Sequence, residues 1–171
     1  DRNTLTPADH IVENNHIENN ETKKLTYSPG LEFTGVGIKV SNNEFHDAKH
    51  LLVQWGGNNH VFEYNELYDA CLDTDDMGAI YSGRNLTHRG NELRYNYFHD
   101  IGSKEARGVE GCHAIYFDDF WSAAKVYGNI CDKITGSNIL LSGSYNEVYN
   151  NIFMNGQGEA IMSSRIFNPT S

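Results

Sequence analysis

The chain is poor in cysteine, in proline and in positive charge, and it has no long apolar run. Its 171 residues include 3 Cys and 3 Pro, and 13 Lys and Arg stand against 23 Asp and Glu, for a formal net charge of −10. The cysteines, at 71, 112 and 131, are odd in number and lack the paired spacing of a zinc site or redox motif. No disulfide framework is expected, although a single bridge stays open. The acidic balance, with basic residues scattered rather than clustered, repels phosphate backbones and anionic lipid surfaces, so no nucleic-acid or membrane partner is expected. No apolar run approaches the ~18 residues of a membrane span, and the mean hydropathy is −0.57. A sustained helical period is also missing.

Present instead are 20 Asn, 16 Gly and 20 aromatic residues, 10 Tyr, 8 Phe and 2 Trp among them. Asn and Gly in that quantity suit a disordered chain, but so many rings argue for a packed solid. The length suits one domain with its own core.

Self-comparison accounts for the asparagines. Six segments align: HIVENNHIEN from 10, GIKVSNNEFHD from 37, HVFEYNELYD from 60, ELRYNYFHDI from 92, KVYGNICDKI from 125 and EVYNNIFMN from 147. Their shared asparagines are Asn15, Asn43, Asn65, Asn96, Asn129 and Asn151, spaced 28, 22, 31, 33 and 22 apart. This is a 22-residue unit with insertions, the length of one coil of a parallel β-solenoid. Three positions before each Asn stand Val12, Val40, Phe62, Leu93, Val126 and Val148; two after it stand Ile17, Phe45, Leu67, Phe98, Cys131 and Phe153. Stacked, these make two apolar core columns with an internal Asn ladder between them, the asparagines taking left-handed turn conformations and bonding from coil to coil. Asp47, Asp69 and Asp100, four residues after ladder asparagines, read as turn formers. Leucine-rich repeats are excluded because the Leu-x-x-Leu-x-Leu frame is missing. The predicted fold is therefore all-β, a right-handed parallel β-helix of about six coils forming a single domain over 1–171. The first repeat begins at residue 10 and no polar cap is evident at either end, so an excerpt of a longer β-helix, or end-to-end self-association, is expected.

In a solenoid the inward columns hold the fold, and function falls to outward side chains and insertions. One neighbourhood is rich in both: DTDDMGAIYSGRNLTHRGN from 73, then GSKEARGVEGCH from 102 and AIYFDDFWS from 114. Aligning the two AIY runs with Ile80 and Ile115 inward turns Tyr81, Tyr116 and Asp118 outward on one face. Gln54 joins them from the coil before, and Trp55 and Trp121 lie close in sequence. Aromatic platforms beside carboxylates and amides suit sugars, whose apolar ring face stacks while the hydroxyls are hydrogen-bonded.

Residues 38 to 155, through NNHVFEYNELYDACLDTDDMGAIYSGRNLTHRGNELRYNYFHDI and HAIYFDDFWSAAKVYGNI, resemble the right-handed β-helix domains of bacterial secreted glycan-active proteins, most closely those similar to glycoside hydrolase family 141. Known members of that family include an α-L-fucosidase and a xylanase. The resemblance implies a secreted, extracellular or periplasmic O-glycoside hydrolase acting on a polysaccharide of fucoside or xylan type. It places the acidic motifs at Asp76 in DTDD and at Asp118 and Asp119 in YFDD. Hydrolysis needs two carboxyls, yet along a straight strand Asp76 and Asp118 lie about 20 Å apart. A coil corner or a folded loop has to pair them; otherwise Asp118 pairs with Asp119 or with Glu110. Arg84 reads either as a clamp for an acidic sugar or as a loop tie, and His113 either as an aid to a carboxylate or as structural. DTDD also reads as a solvated turn or as a Ca²⁺ site, since Ca²⁺ takes clustered oxygens; no other cofactor is expected. Histidines 10, 16, 46, 50, 60, 88 and 99 lie on separate coils without metal-site spacing. Two further functional readings stand beside the hydrolase: a non-catalytic glycan-binding or filament-assembly β-helix, and a polysaccharide lyase, which net acidity disfavours.

Overall fold

The computed structural model describes residues 1–20, 23–102 and 111–164. Among these residues eighteen strands form six coils, each coil contributing one strand to each of three parallel sheets. Coil 1 holds β1 (Ile11–Glu13), β2 (His16–Glu18) and β3 (Leu31–Phe33); coil 2 holds β4 (Lys39–Ser41), β5 (Glu44–His46) and β6 (Val53–Trp55). Coil 3 holds β7 (Val61–Glu63), β8 (Glu66–Tyr68) and β9 (Met77–Ser82); coil 4 holds β10 (Glu92–Arg94), β11 (Tyr97–Ile101) and β12 (Cys112–Phe117). Coil 5 holds β13 (Lys125–Tyr127), β14 (Ile130–Ile134) and β15 (Ile139–Leu141); coil 6 holds β16 (Glu147–Tyr149), β17 (Ile152–Met154) and β18 (Ile161–Ser163). Sheet A takes the first strand of every coil, sheet B the second and sheet C the third. This is the right-handed parallel β-helix read from the repeat. No described helix is long and apolar enough to cross a membrane.

Both expected columns form in register. Val12, Val40, Phe62, Leu93, Val126 and Val148 stack up sheet A, and Ile17, Phe45, Leu67, Phe98, Cys131 and Phe153 stack up sheet B. Sheet C adds a third, Leu31, Val53, Ile80, Ile115, Ile139 and Ile161. All three cysteines are free and buried, and burial pushes the Cys131 thiol far above its usual range, as expected of packing.

The asparagine ladder runs unbroken through the corner between sheets A and B. At each step the backbone N–H and Nδ2 of one Asn both donate to Oδ1 of the next: Asn15 to Asn43 at 3.0 and 2.9 Å, Asn43 to Asn65 at 2.9 and 3.0 Å, and Asn65 to Asn96 at 2.9 and 3.1 Å. Asn96 to Asn129 and Asn129 to Asn151 continue it, at 2.9 and 3.0 Å in both cases. One expectation is corrected here. The left-handed residue is the one before each ladder Asn, namely Asn14, Asn42, Tyr64, Tyr95, Gly128 and Asn150. The ladder Asn itself supplies hydrogen bonds rather than the unusual backbone angle. The second corner uses Asp47, Asp69 and Asp100, with φ of 56°, 47° and 51°, as their turn-former reading requires.

Four histidines serve the core rather than the surface. His50, His60, His88 and His113 are buried, and desolvation lowers the pKa of each below the usual imidazole value, to about 4 for His88. His60 Nδ1 accepts from the Ile38 N–H at 3.0 Å and His113 Nδ1 from the Ser137 N–H at 3.0 Å, bonds that only an unprotonated Nδ1 can accept. The unfolded chain binds protons at these rings near pH 6.5 while the folded chain resists them, so stability rises with pH across that window. It is fully present above about pH 6.5 and is lost as pH falls through the folded values, reaching about 4 at His88. The melting temperature is expected to drop steadily from pH 7 to pH 4.5. A flat profile over that range would refute the neutral-histidine account.

Candidate functional site

The outward column of sheet C is Glu32, Gln54, Tyr81, Tyr116, Leu140 and Met162, paired residue to residue across β3, β6, β9, β12, β15 and β18. Strand alternation turns the neighbours Phe33, Trp55, Ser82 and Phe117 inward. The two tyrosine rings meet edge to face, 5.5 Å apart at 90°. Their hydroxyls take different carboxylates: Tyr81 Oη donates to Asp118 Oδ2 at 3.0 Å, and Tyr116 Oη donates to Asp76 Oδ1 at 3.3 Å. Burial, followed by the negative charge of Asp118, pushes both phenols far above their usual range, with Asp76 adding to the effect on Tyr116. Both hydroxyls therefore stay protonated donors across the physiological range.

Asp118 is 8% exposed and lies just past the end of β12, its Oδ1 accepting from the Asp119 N–H at 2.8 Å. Asp119, at φ 34°, turns its own carboxylate onto Arg84 Nε at 3.1 Å. Gly83 makes the approach feasible, because a Cβ there would lie 3.1 Å from both Tyr81 Oη and the Asp118 side chain. Asp76 is exposed at a left-handed corner, φ 51°, immediately before β9. His113 is buried with its ring edge on Tyr116 at 5.0 Å. It props that tyrosine and takes its own hydrogen bond from the backbone at Ser137.

Beside Tyr81 a groove of about 420 Å³ opens toward coil 1, lined by Tyr27, Glu32, Thr34, Gln54, Gly56, Tyr81, Gly83, Arg84 and His88 among others. Of the residues read from the sequence, Gln54, Trp55, Tyr81 and Arg84 line this groove, Asp118 and Asp119 reach it only through their bonds to Tyr81 and Arg84, and Asp76 and His113 meet Tyr116. Asp118 and Asp76 take different tyrosine hydroxyls, and the charges of both act on Tyr116. Glu110 lies outside the described residues.

Trp121 is a correction, and Trp55 lies deeper than the sequence suggests. Trp55 is 3% exposed and Trp121 0%, with rings 6.0 Å apart inside the coil. They pack with Phe33, Phe62, Phe117 and His88. Trp55 follows outward Gln54 and so points inward, while the left-handed turn at Asp119 and Phe120 carries Trp121 beneath the sheet. Trp121 therefore offers no platform, while Trp55, though mostly covered, is among the residues lining the groove. Glu32, Thr34 and Tyr27 went unread in the sequence, although Glu32 stands 22 residues before Gln54, one uninserted repeat, and that spacing alone locates it. Asp73, Asp75 and Asp76 of DTDD stand outside the clusters of three donor side chains. Among the described residues, the sets of three or more His, Cys or carboxylate donors within 4.8 Å of one another are elsewhere, His16 with Glu44 and His46, and Glu18 with His46 and Asp47. Asp73 instead pairs with Lys49 at 3.5 Å.

No curated protein and no solved structure matches the chain. A family model described as the right handed beta helix region matches residues 29–169, covering coils 2 to 6 and the last strand of coil 1. With the repeat, the ladder and the three parallel sheets in place, the chain belongs to the right-handed β-helix family.

Proposed function

We propose that the protein binds a neutral glycan along the outer face of sheet C and hydrolyses an O-glycosidic bond there, with Asp118 and Asp76 as the working carboxyls. The observation that carries this reading is the tyrosine pair held between two carboxylates beside an open groove. Tyr27, 54% exposed, offers a ring face, while Gln54, Thr34 and Glu32 offer the donors and acceptors that sugar hydroxyls require. Four acids, Glu32, Asp76, Asp118 and Asp119, line the groove or bind its tyrosine pair, whereas the cation among the groove-lining residues is Arg84, engaged by Asp119. That balance supports an uncharged sugar over a uronate, and so the hydrolase over the lyase. The resemblance to glycoside hydrolase family 141 supports a fucoside or xylan substrate.

The test is reducing-sugar release from fucosylated glycans, xylans and pectic polysaccharides by the wild type, Asp76→Asn and Asp118→Asn, all checked for folding by circular dichroism. Release from a fucosylated glycan or a xylan, lost in both amides, is the expected result. Release that survives both substitutions would remove these carboxyls from the chemistry. Saturable binding without release from any glycan would replace hydrolysis by the non-catalytic glycan-binding reading.

A further inference from the structure

On the outer face of sheet B, far in function from the groove on sheet C, coils 1 and 2 set two histidines and two glutamates in a checkerboard. β2 pairs with β5 so that His16 lies against Glu44 and Glu18 against His46. The diagonal brings the imidazoles together, His16 Nε2 to His46 Nε2 at 2.7 Å, with ring centroids 4.8 Å apart. Glu18 Oε2 caps this pair almost symmetrically, 3.9 Å from His16 Nε2 and 3.8 Å from His46 Nε2.

The outer nitrogens are turned toward carboxylates. His46 Nδ1 lies 2.7 Å from Asp47 Oδ2, and His16 Nδ1 lies 3.5 Å from Glu44 Oε2. A carboxylate on Nδ1 holds the N–H there and leaves the Nε2 lone pair free, the arrangement that orients metal-binding imidazoles. His46 thus aims its Nε2 lone pair at Nε2 of His16, a contact that a proton or a cation has to bridge. His46 is fixed further by Tyr68, whose ring stacks on it at 4.5 Å and 10° and whose hydroxyl donates to Glu44 Oε1 at 2.7 Å.

We propose that His16, His46 and Glu18 bind a divalent transition-metal ion such as Zn²⁺, with Asp47 and Glu44 orienting the imidazoles. Two imidazoles and one carboxylate are a donor set that Zn²⁺ takes readily, at about 2.0–2.2 Å per ligand and with a fourth position left to water. Around a tetrahedral ion, nitrogens at those distances stand about 3.3 Å apart. The 2.7 Å pair has to open slightly and the two contacts to Glu18 have to close slightly. His16 supplies that adjustment, since its side chain is 56% exposed. The ion ties coil 1 to coil 2.

Zn²⁺ titration by calorimetry, and Co²⁺ titration followed by visible absorption, test the site on the full chain. The wild type is expected to bind one Zn²⁺ with Co²⁺ bands of tetrahedral type, and to gain melting temperature with Zn²⁺. His16→Ala should lose at least about 100-fold in affinity together with the thermal gain, and Asp47→Ala about 10- to 100-fold. His16 is exposed, so its replacement leaves the fold to be verified rather than risked; His46→Ala provides the second ligand test. An absence of Zn²⁺ binding in the wild type, or binding that His16→Ala and His46→Ala leave unchanged, would overturn the site. The glycan assays run without added metal and report on a different sheet, so their failure and this one are separable.

Discussion

Asn96→Asp is expected to destabilise the protein by about 3–5 kcal/mol, the cost of an uncompensated buried charge, read as a fall in urea midpoint. Asn96 is buried in the middle of the ladder. Its Oδ1 accepts from the backbone and side chain of Asn65, and its Nδ2 donates to Phe62 O, Arg94 O and Asn129 Oδ1 at 3.0, 2.9 and 3.0 Å. A carboxylate keeps the accepting half and loses the donating half. Three oxygens that shared one NH₂ would then face a negative oxygen in a site closed to water, and each buried group left unpaired adds a penalty of its own. Asn151→Asp gives the comparison. That residue ends the ladder, is only partly buried, and donates to Val126 O and Tyr149 O without a further asparagine above it. Its substitution is expected to cost about 1 kcal/mol, since water reaches the new charge. Equal costs at the two positions would show that the ladder contributes through turn geometry and not through its hydrogen bonds. In a stack where each coil touches only its neighbours, the central lesion also uncouples coils 3 and 5 from each other, so a broadened transition is expected for Asn96→Asp alone.

The residues that fix the fold were legible because stacking turns sequence periodicity into spatial columns. Val40, Phe62 and Leu93 share a place in the repeat and therefore share a place in the core. The same logic puts Tyr116 over Tyr81 and Gln54 beneath them both. It failed where the chain departs from the strand. Trp121 follows two left-handed residues, and a turn of that kind reverses direction without any change in hydrophobic pattern. Asp76 sits at a left-handed corner before β9, where a straight-strand estimate does not apply. The left-handed position fell one residue early because Asn15 and Asn43 follow Asn14 and Asn42, and the chemistry suited either member of the pair. The histidine pair was hidden for another reason. His16 follows its ladder asparagine by one residue and His46 follows its own by three, so the two occupy different columns and meet only on a diagonal. Metal motifs are recognised by spacing along a chain, and a diagonal across two coils has none.

Asp118→Asn is expected to lower turnover of the glycan substrate by about 10³-fold or more while leaving the melting temperature within a few degrees, following the proposal that this carboxyl takes part in hydrolysis. The fold is spared because the amide is nearly isosteric with what it replaces. Its oxygen can keep the 2.8 Å bond from the Asp119 N–H, and its NH₂ meets Tyr81 Oη, a hydroxyl able to accept where it formerly donated. What disappears is the ability to gain or lose a proton, or to attack, and no neighbour restores it. Tyr81→Phe divides the roles. It removes one donor to Asp118 and one polar contact to the groove while the carboxyl remains, so a loss of about tenfold is expected, shared between kcat and KM. The asparagine variant should lower kcat with little change in KM, because an amide of the same shape still fills the wall beside Gly83. Turnover within tenfold of the wild type in Asp118→Asn would take this residue out of the chemistry. If Asp76→Asn alone were then inactive, the reacting centre would move to the Tyr116 end of the pair, where His113 supports the ring that reaches Asp76.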